Sequence, residues 1–324
     1  MPLLRFIPET TNVDFVKYRF VAFGLDGLLV VVSVLSIWLH GFNLGIDFTG
    51  GVLMEVKAAQ TIDIGPLRAQ VDSLGFPEVQ MQYFGGGECD RPVNSCVLIR
   101  VQPPAARAGQ DQNDVDQSVA RTIRAKLGES YQYRRTDVVG PKVSNELLHD
   151  GVIATVLAVV MISAYVAIRF EWQYGVGALI ATGHDVFVTA GLYSFLSWVG
   201  YDIDFTINTV AALLLLAGYS INDTVVVFDR LRENRRKFKR MSLRDMINLS
   251  TNQIATRTTL VSAATALSVV PLLFGGDVLL NFSIAILFGI VVGTFSSTYV
   301  AAMLLLYMPA VGGQVEAKGE EAAV

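Results

Sequence analysis

Long apolar runs, broken by short polar or charged segments, dominate the chain. Six of them are long enough to cross a bilayer, whose hydrocarbon core of ~30 Å takes ~20 mostly apolar residues in a helix. They are roughly Tyr18–Leu39, Leu148–Ile168, Tyr174–Val199, Ile203–Phe228, Thr258–Phe274 and Leu279–Met308. The pattern predicts six transmembrane helices, the last long enough to tilt or to end early, with Pro309 as a stop.

Between the first and second runs the period changes. Residues 40–147 read as strand Val52–Val56, helix Gly65–Leu74, strand Val79–Phe84, strand Cys96–Val101, helix Asp114–Leu127 and strand Tyr131–Val139. Turn chemistry separates them at Gly75-Phe76-Pro77, Gly85-Gly86-Gly87 and Gln102-Pro103-Pro104. A β-α-β-β-α-β order is the ferredoxin-like pattern, so the expected fold is an α-helical membrane protein carrying one α+β ferredoxin-like domain. Further along, Leu243, Met246, Ile247, Leu249 and Ile254 recur at near-helical spacing behind Ser242, a plausible N-cap. They predict either a short amphipathic helix at the membrane interface or a solvated loop helix. The chain divides into an N-terminal segment (1–17), the first span (18–39), the soluble domain (40–147), spans two to four (148–228), a basic loop (229–257), spans five and six (258–308) and a tail (309–324).

Composition agrees with the membrane reading: 52% of the 324 residues are hydrophobic and 17% charged, against about 25% charged in soluble domains. The net charge of −4 says little about partners, because a bilayer sorts charges by side. Lys and Arg collect at Arg5, Lys17 and Arg19, at Arg169, and in the block from Arg230 to Arg257, whereas the short loops Gly200-Tyr201-Asp202 and Gly275-Gly276-Asp277 have none. The positive-inside rule then predicts both termini in the cytoplasm and the soluble domain outside. The first run is too long for a signal h-region and exits through polar, Gly-rich residues, so it is expected to remain as a span. Cys89 and Cys96 both lie in the domain. In an oxidising compartment they would close a small disulfide loop; otherwise they are two free thiols. No His pair stands near them, which argues against a metal site.

Ionisable groups inside the bilayer are functional candidates by default, because they are expensive to keep there. Asp26, His184-Asp185, Asp223 and Arg257 qualify. Asp223 lies about two turns before the basic block and Arg257 just after it, on antiparallel spans, so the two are expected at similar depth as an Asp–Arg pair. Such a pair reads as a proton relay or as a static ion pair. His184 and Asp185, near mid-membrane, read equally as a relay station or as hydrogen-bonding groups between helices; Asp26 could reach a water-filled cavity. His149-Asp150 marks the outer edge of the second span, and Gly289, Gly293, Ser296 and Ser297 read as close-packing residues. There is no P-loop, metal-ligand spacing or Gly-x-Ser-x-Gly motif. The expectation is therefore a protein that is not an enzyme and carries no cofactor or metal. The basic block reads as a topology signal and anionic-lipid contact, not as a nucleic-acid site.

These residues resemble the SecF family, partners of SecD in the accessory Sec translocase of the resistance-nodulation-division superfamily. The resemblance rests on Gly45-Ile46-Asp47-Phe48-Thr49-Gly50-Gly51, Gly140-Pro141-Lys142-Val143-Ser144, His184-Asp185, the run Gly218-Tyr219-Ser220-Ile221-Asn222-Asp223-Thr224 through Asn234, Asn252-Gln253 through Arg257-Thr258, and Phe274-Gly275-Gly276. Only the Cys89–Cys96 loop and the acidic tail (Glu316, Glu320, Glu321) fall outside it. It implies a bacterial inner-membrane subunit that associates with SecD, the SecYEG channel and YajC. That subunit would use the proton motive force to promote late translocation of preproteins after the ATP-driven motor, with residues 44–145 as its periplasmic domain. It also implies a proton pathway through Asp223 of the Tyr-Ser-x-Asn-Asp motif, with Asn222 beside it, and Arg257, to which the intramembrane argument adds His184 and Asp185. A proton-coupled exporter of small molecules or lipids and a passive scaffold are the rival readings; whether the ion is H⁺ or Na⁺ stays open.

Overall fold

The structure is a computed structural model that describes residues 11–83, 89, 92–104, 110–201, 203–274 and 277–309. In chain order its elements are α1 (Arg19–Leu39), α2 (Ile46–Thr49), β1 (Gly51–Lys57), α3 (Ile64–Asp72), β2 (Glu78–Tyr83), β3 (Cys96–Gln102), α4 (Gln112–Leu127), β4 (Gln132–Val139), α5 (Pro141–Arg169), α6 (Trp172–Val199), α7 (Ile207–Lys237), α8 (Leu243–Val269) and α9 (Asp277–Ser296). The six long helices are each apolar enough to span a membrane.

The domain between α1 and α5 is a four-stranded sheet in the order β2-β3-β1-β4, with antiparallel neighbours throughout. Each of α3 and α4 therefore crosses over one intervening strand, which is the ferredoxin-like arrangement. Strict alternation sets the sheet's two faces. Val52, Met54 and Val56 of β1 and Val97, Ile99 and Val101 of β3 point to one face and are buried under Leu67 and Val71 of α3 and Val119, Ile123 and Leu127 of α4. The intervening Leu53, Glu55, Leu98 and Arg100 look the other way. Both helices start where a carboxylate accepts an orphan N–H: Asp63 from Gly65 at 2.9 Å and Asp111 from Asn113 at 3.0 Å. Cys89 and Cys96 are disulfide-bonded, with Cα atoms 5.3 Å apart. The expected turn at Gly85-Gly86-Gly87, the Gly275-Gly276 pair and the acidic tail lie outside the described residues.

Three expectations need correction. The fourth span starts at Ile207 rather than Ile203, because the preceding residues pair with the segment that leaves α1. Phe205 N–H donates to Asn43 O at 2.7 Å and Gly45 N–H to Phe205 O at 2.9 Å. The same helix does not stop at Phe228. It runs on to Lys237, since the basic block consists of good helix formers and carries a Glu233–Lys237 pair of 2.6 Å at i,i+4. Finally, residues 241–255 form neither an interfacial helix nor a loop helix. From Leu243 on they are the first turns of α8, which continues unbroken into the fifth span because no Gly or Pro interrupts it. Ser242 does cap it, accepting from Asp245 N–H at 3.1 Å. Met246, Ile247 and Ile254 pack into the core with Phe228, Leu231 and Met303.

Candidate functional site

The polar groups of the spans converge where α1, α6, α7, α8 and α9 meet. On α7, Ser220 and Asp223 are three residues apart and share one face; both are buried. Gly293 of α9 lets that face come close: a Cβ there would stand 3.2 Å from Ser220 Cβ and 3.5 Å from Asp185 Oδ2.

Asp185, fully buried on α6, is the most heavily hydrogen-bonded carboxylate among them. His184 Nδ1 lies 3.0 Å from its Oδ1. Its Oδ2 accepts from Ser296 Oγ of α9 at 2.7 Å and closely from Ser220 Oγ of α7. The other imidazole nitrogen, His184 Nε2, stands 3.7 Å from Asp26 Oδ1 of α1. Thus Asp26, which the sequence reading left by itself, joins the His184-Asp185 pair in one cluster.

Asp223 belongs to a neighbouring cluster. Its Oδ2 lies 3.4 Å from Ser262 Oγ of α8. Ser262 also receives the Tyr219 hydroxyl at 3.1 Å and stands 2.8 Å from Thr294 Oγ1, whose own proton is committed to Ile290 O at 2.7 Å. A hydroxyl has a single proton to give. Ser262 can therefore serve Thr294 or Asp223, not both at once.

The expected Asp223–Arg257 ion pair is absent: no oxygen–nitrogen approach within 4.0 Å joins them. The two differ both in height along the helices and in direction round them. Ser262, which does face Asp223, follows Arg257 by five residues, about 140° round the helix and ~7.5 Å along it. Arg257 is exposed and lines a cavity of about 570 Å³ with Asp229, Arg230 and Gln253. Asn222 is also exposed, one step round α7 from Asp223, and its side chain makes no hydrogen bond among the described residues. Sequence reasoning missed Tyr219, Ser262 and Thr294 as partners and took Ser296 for packing alone. A helical projection of the Ser/Thr-rich start of the fifth span would have flagged Ser262. Among the described residues no group of three His, Cys, Asp or Glu could hold a metal ion.

At the end that carries the domain, α7 is tied to the sheet. Asp47 Oδ2 accepts from Ile207 N–H at 3.0 Å. Asp204 pairs closely with Arg100 of β3 and accepts from Asn43 Nδ2 at 2.8 Å.

Two family descriptions match the chain: "Protein export membrane protein SecD/SecF, C-terminal" over residues 119–311 and "SecD/SecF GG Motif" over residues 35–62. The protein translocase subunit SecF of Cereibacter sphaeroides is 39% identical over 308 residues, covering 94% of this chain and 92% of the relative. That of Rickettsia typhi is 35% identical over 303 residues, covering 93% and 94%. Among solved structures, SecDF from Thermus thermophilus, a translocon-associated membrane protein, matches with a TM-score of 0.78 at 31% identity. The match takes in 94% of this chain and 39% of that longer one.

Proposed function

The chain belongs to the SecD/SecF family of protein export membrane proteins, and from that premise we propose that it is the SecF-type subunit of a proton-driven export motor. In this reading it sits in the bacterial inner membrane with both termini in the cytoplasm and the ferredoxin-like domain in the periplasm. It works with a SecD subunit beside the SecYEG channel and YajC, and promotes the late part of preprotein translocation after the ATP-driven motor has acted.

One observation carries the reading. Buried Asp185 and Asp223, with His184, are joined to hydroxyls of α7, α8 and α9. Ionisable groups are expensive to keep inside a span and are functional candidates for that reason, and a hydroxyl beside a carboxylate can both accept and give a proton. When Asp223 takes a proton, Ser262 no longer has a charge to serve and its own proton is free for Thr294. The contact between α7 and α8–α9 then changes. One charge moved through 100 mV is worth about 2.3 kcal/mol, enough to bias two packings that differ in proton affinity. Arg257 lines the cavity at the basic end, where its charge favours the ionised form of a nearby carboxylate and so the release of a proton from it.

The test is preprotein translocation into membrane vesicles under an imposed proton gradient, with the native chain or Asp223→Asn. The variant is expected to assemble with its partner yet lose the gradient-dependent part of export. Unchanged export would sink the proton reading and leave a scaffold whose buried charges only hold helices together.

A further inference from the structure

Asp26 is the one carboxylate among the described intramembrane residues that the network above leaves without a donor. It lies on the buried stripe of α1 with Ala22, Ser33 and Ser36, and is 6% exposed. Neither of its oxygens has a hydrogen-bond partner, and neither does His184 Nε2, the polar atom that faces it at 3.7 Å. A bare buried carboxylate is costly, and native structures rarely leave one unexplained. The charged or titratable groups around it are His184 and Asp185 of α6; α7 and α9 contribute the hydroxyls of Ser220 and Ser296, both already given to Asp185.

Those assignments fix where a proton can go. Asp185 receives the serine hydroxyls and faces His184 Nδ1, so it is satisfied as the anion with Nδ1 protonated. His184 Nε2 and Asp26 are then left with each other. Their pair is neutral either as carboxylic acid beside neutral imidazole or as carboxylate beside imidazolium, and each form holds one proton between Oδ1 and Nε2. A separation of 3.7 Å is about 0.8 Å too long for a good hydrogen bond. The contact is open, and a small approach of α1 to α6 closes it. The two helices are already in tight contact two turns away, where a Cβ on Gly191 would collide with Ser33; Ser33 and Gly191 each follow Asp26 and His184 by seven residues.

We propose that Asp26 and His184 form a second proton-holding site, separate from Asp223, in which one proton is shared between Asp26 Oδ1 and His184 Nε2 and is passed from carboxyl to imidazole when α1 closes on α6. No atom other than that proton moves between the groups, and the Asp26–His184 pair stays neutral until the proton leaves it. The site deepens the proton-motor reading and rests on it for its purpose, but its existence can be measured apart from export.

The measurement is pH-difference infrared spectroscopy of the full chain reconstituted in liposomes, which resolves protonated carboxyl groups individually. Two titrating carboxyl bands are expected. Asp26→Asn should remove one, Asp223→Asn the other, and His184→Gln should shift the first while leaving the second in place. Gradient-driven export by Asp26→Asn should fall about tenfold, within the usual range for coupled sites, and Asp26→Glu should restore part of it. A spectrum of Asp26→Asn that superimposes on the native one overturns the proposal, whatever export does. If Asp26→Asn does not accumulate, unchanged bands in His184→Gln overturn it instead. Full export by Asp223→Asn alongside an intact Asp26 band would instead retire the motor reading and keep the site.

Discussion

Ser262 has one proton and two oxygens that compete for it, which makes it the residue whose removal isolates the Asp223 cluster most cleanly. Ser262→Ala leaves Asp223 without its hydrogen-bond donor, while Ser262→Thr keeps the hydroxyl. Losing a hydrogen bond to a charged group costs about 1.5–3 kcal/mol. The Ala variant is therefore expected to lower gradient-driven export roughly tenfold or more, and the Thr variant to retain most of it; equal loss in both would point to packing instead. Away from the membrane, Asp116 of α4 shows the effect of burial on a single carboxyl. It is buried, Oδ1 accepts from Gln112 at 2.7 Å and Oδ2 has no hydrogen-bond partner. Burial raises its carboxyl above the ordinary range, and the Gln112 hydrogen bond offsets this only in part. The folded domain thus holds the proton to higher pH than the unfolded chain does. Its stability is greatest below the ordinary carboxylate range, falls as pH rises through the raised folded value, and is level above it. Asp116→Asn removes that loss. Thermal unfolding of the detergent-solubilised chain should show the domain transition raised at neutral pH and little changed at acid pH. A midpoint that moves equally at acid pH would refute the charge explanation.

Among the elements, α7 is the part that links the two ends. Its 31 residues make a rod of about 46 Å with Ser220 and Asp223 near the middle. Its first N–H, that of Ile207, is held by Asp47, and Asp204 just before it by Asn43 and Arg100. A shift of α7 is therefore felt directly by β3, on the sheet face that the domain's own helices leave open. Arg100 and Asp204 are each 14% exposed, and breaking a buried pair by removing one partner is costly because the other charge is stranded. Asp204→Asn should accordingly loosen the domain. Disulfide trapping between a cysteine at Leu98 and one at Asn281, two residues that line the cleft between sheet and bundle, should drop several-fold, and the exchange Arg100→Asp with Asp204→Arg should recover part of it. Unchanged trapping in Asp204→Asn would show that the backbone pairing of residues 43–45 with 203–206 holds the domain alone. That pairing also marks the limit of what the chain's pattern could reveal. Strand alternation in Val52–Val56 and Cys96–Val101 was legible because burial follows a period of two within one segment. The meeting of residues some 160 positions apart leaves no such period. In the same way hydropathy placed Asp223 and Arg257 near the same end of two spans but carried no information about their exact height or their direction round two different helices. The basic block, read as a boundary, proved to be helix on both sides of a short turn at 238–242, because charge ends a membrane span without ending hydrogen-bonded backbone.

For the whole molecule, the remaining question is what covers the side of α7 that faces away from the polar network. Leu215, Gly218 and Asn222 lie exposed along it, and Asn222 stands at the level of Asp223, inside the span. An amide at that depth facing hydrocarbon would leave its donors and acceptor unpaired. A small residue one turn earlier allows another helix to approach closely. Together they fit a helix from another subunit rather than lipid, and under the function proposed above that subunit is the SecD-type partner. Hydrogen bonds between membrane helices are worth about 0.6–2 kcal/mol. Asn222→Leu, which keeps the helix and removes the amide, should therefore weaken co-purification of the two subunits about threefold to thirtyfold, and Asn222→Gln should weaken it less. Asn222→Cys should form a disulfide with a cysteine scanned along one helix of the partner, and with no position on this chain's own α5 or α8. Co-purification that is indifferent to Asn222→Leu, with no partner crosslink, would mean that lipid or water meets this amide. Asn222 would then belong with Arg257, as a polar residue at the edge of the proton path rather than at the seam between subunits.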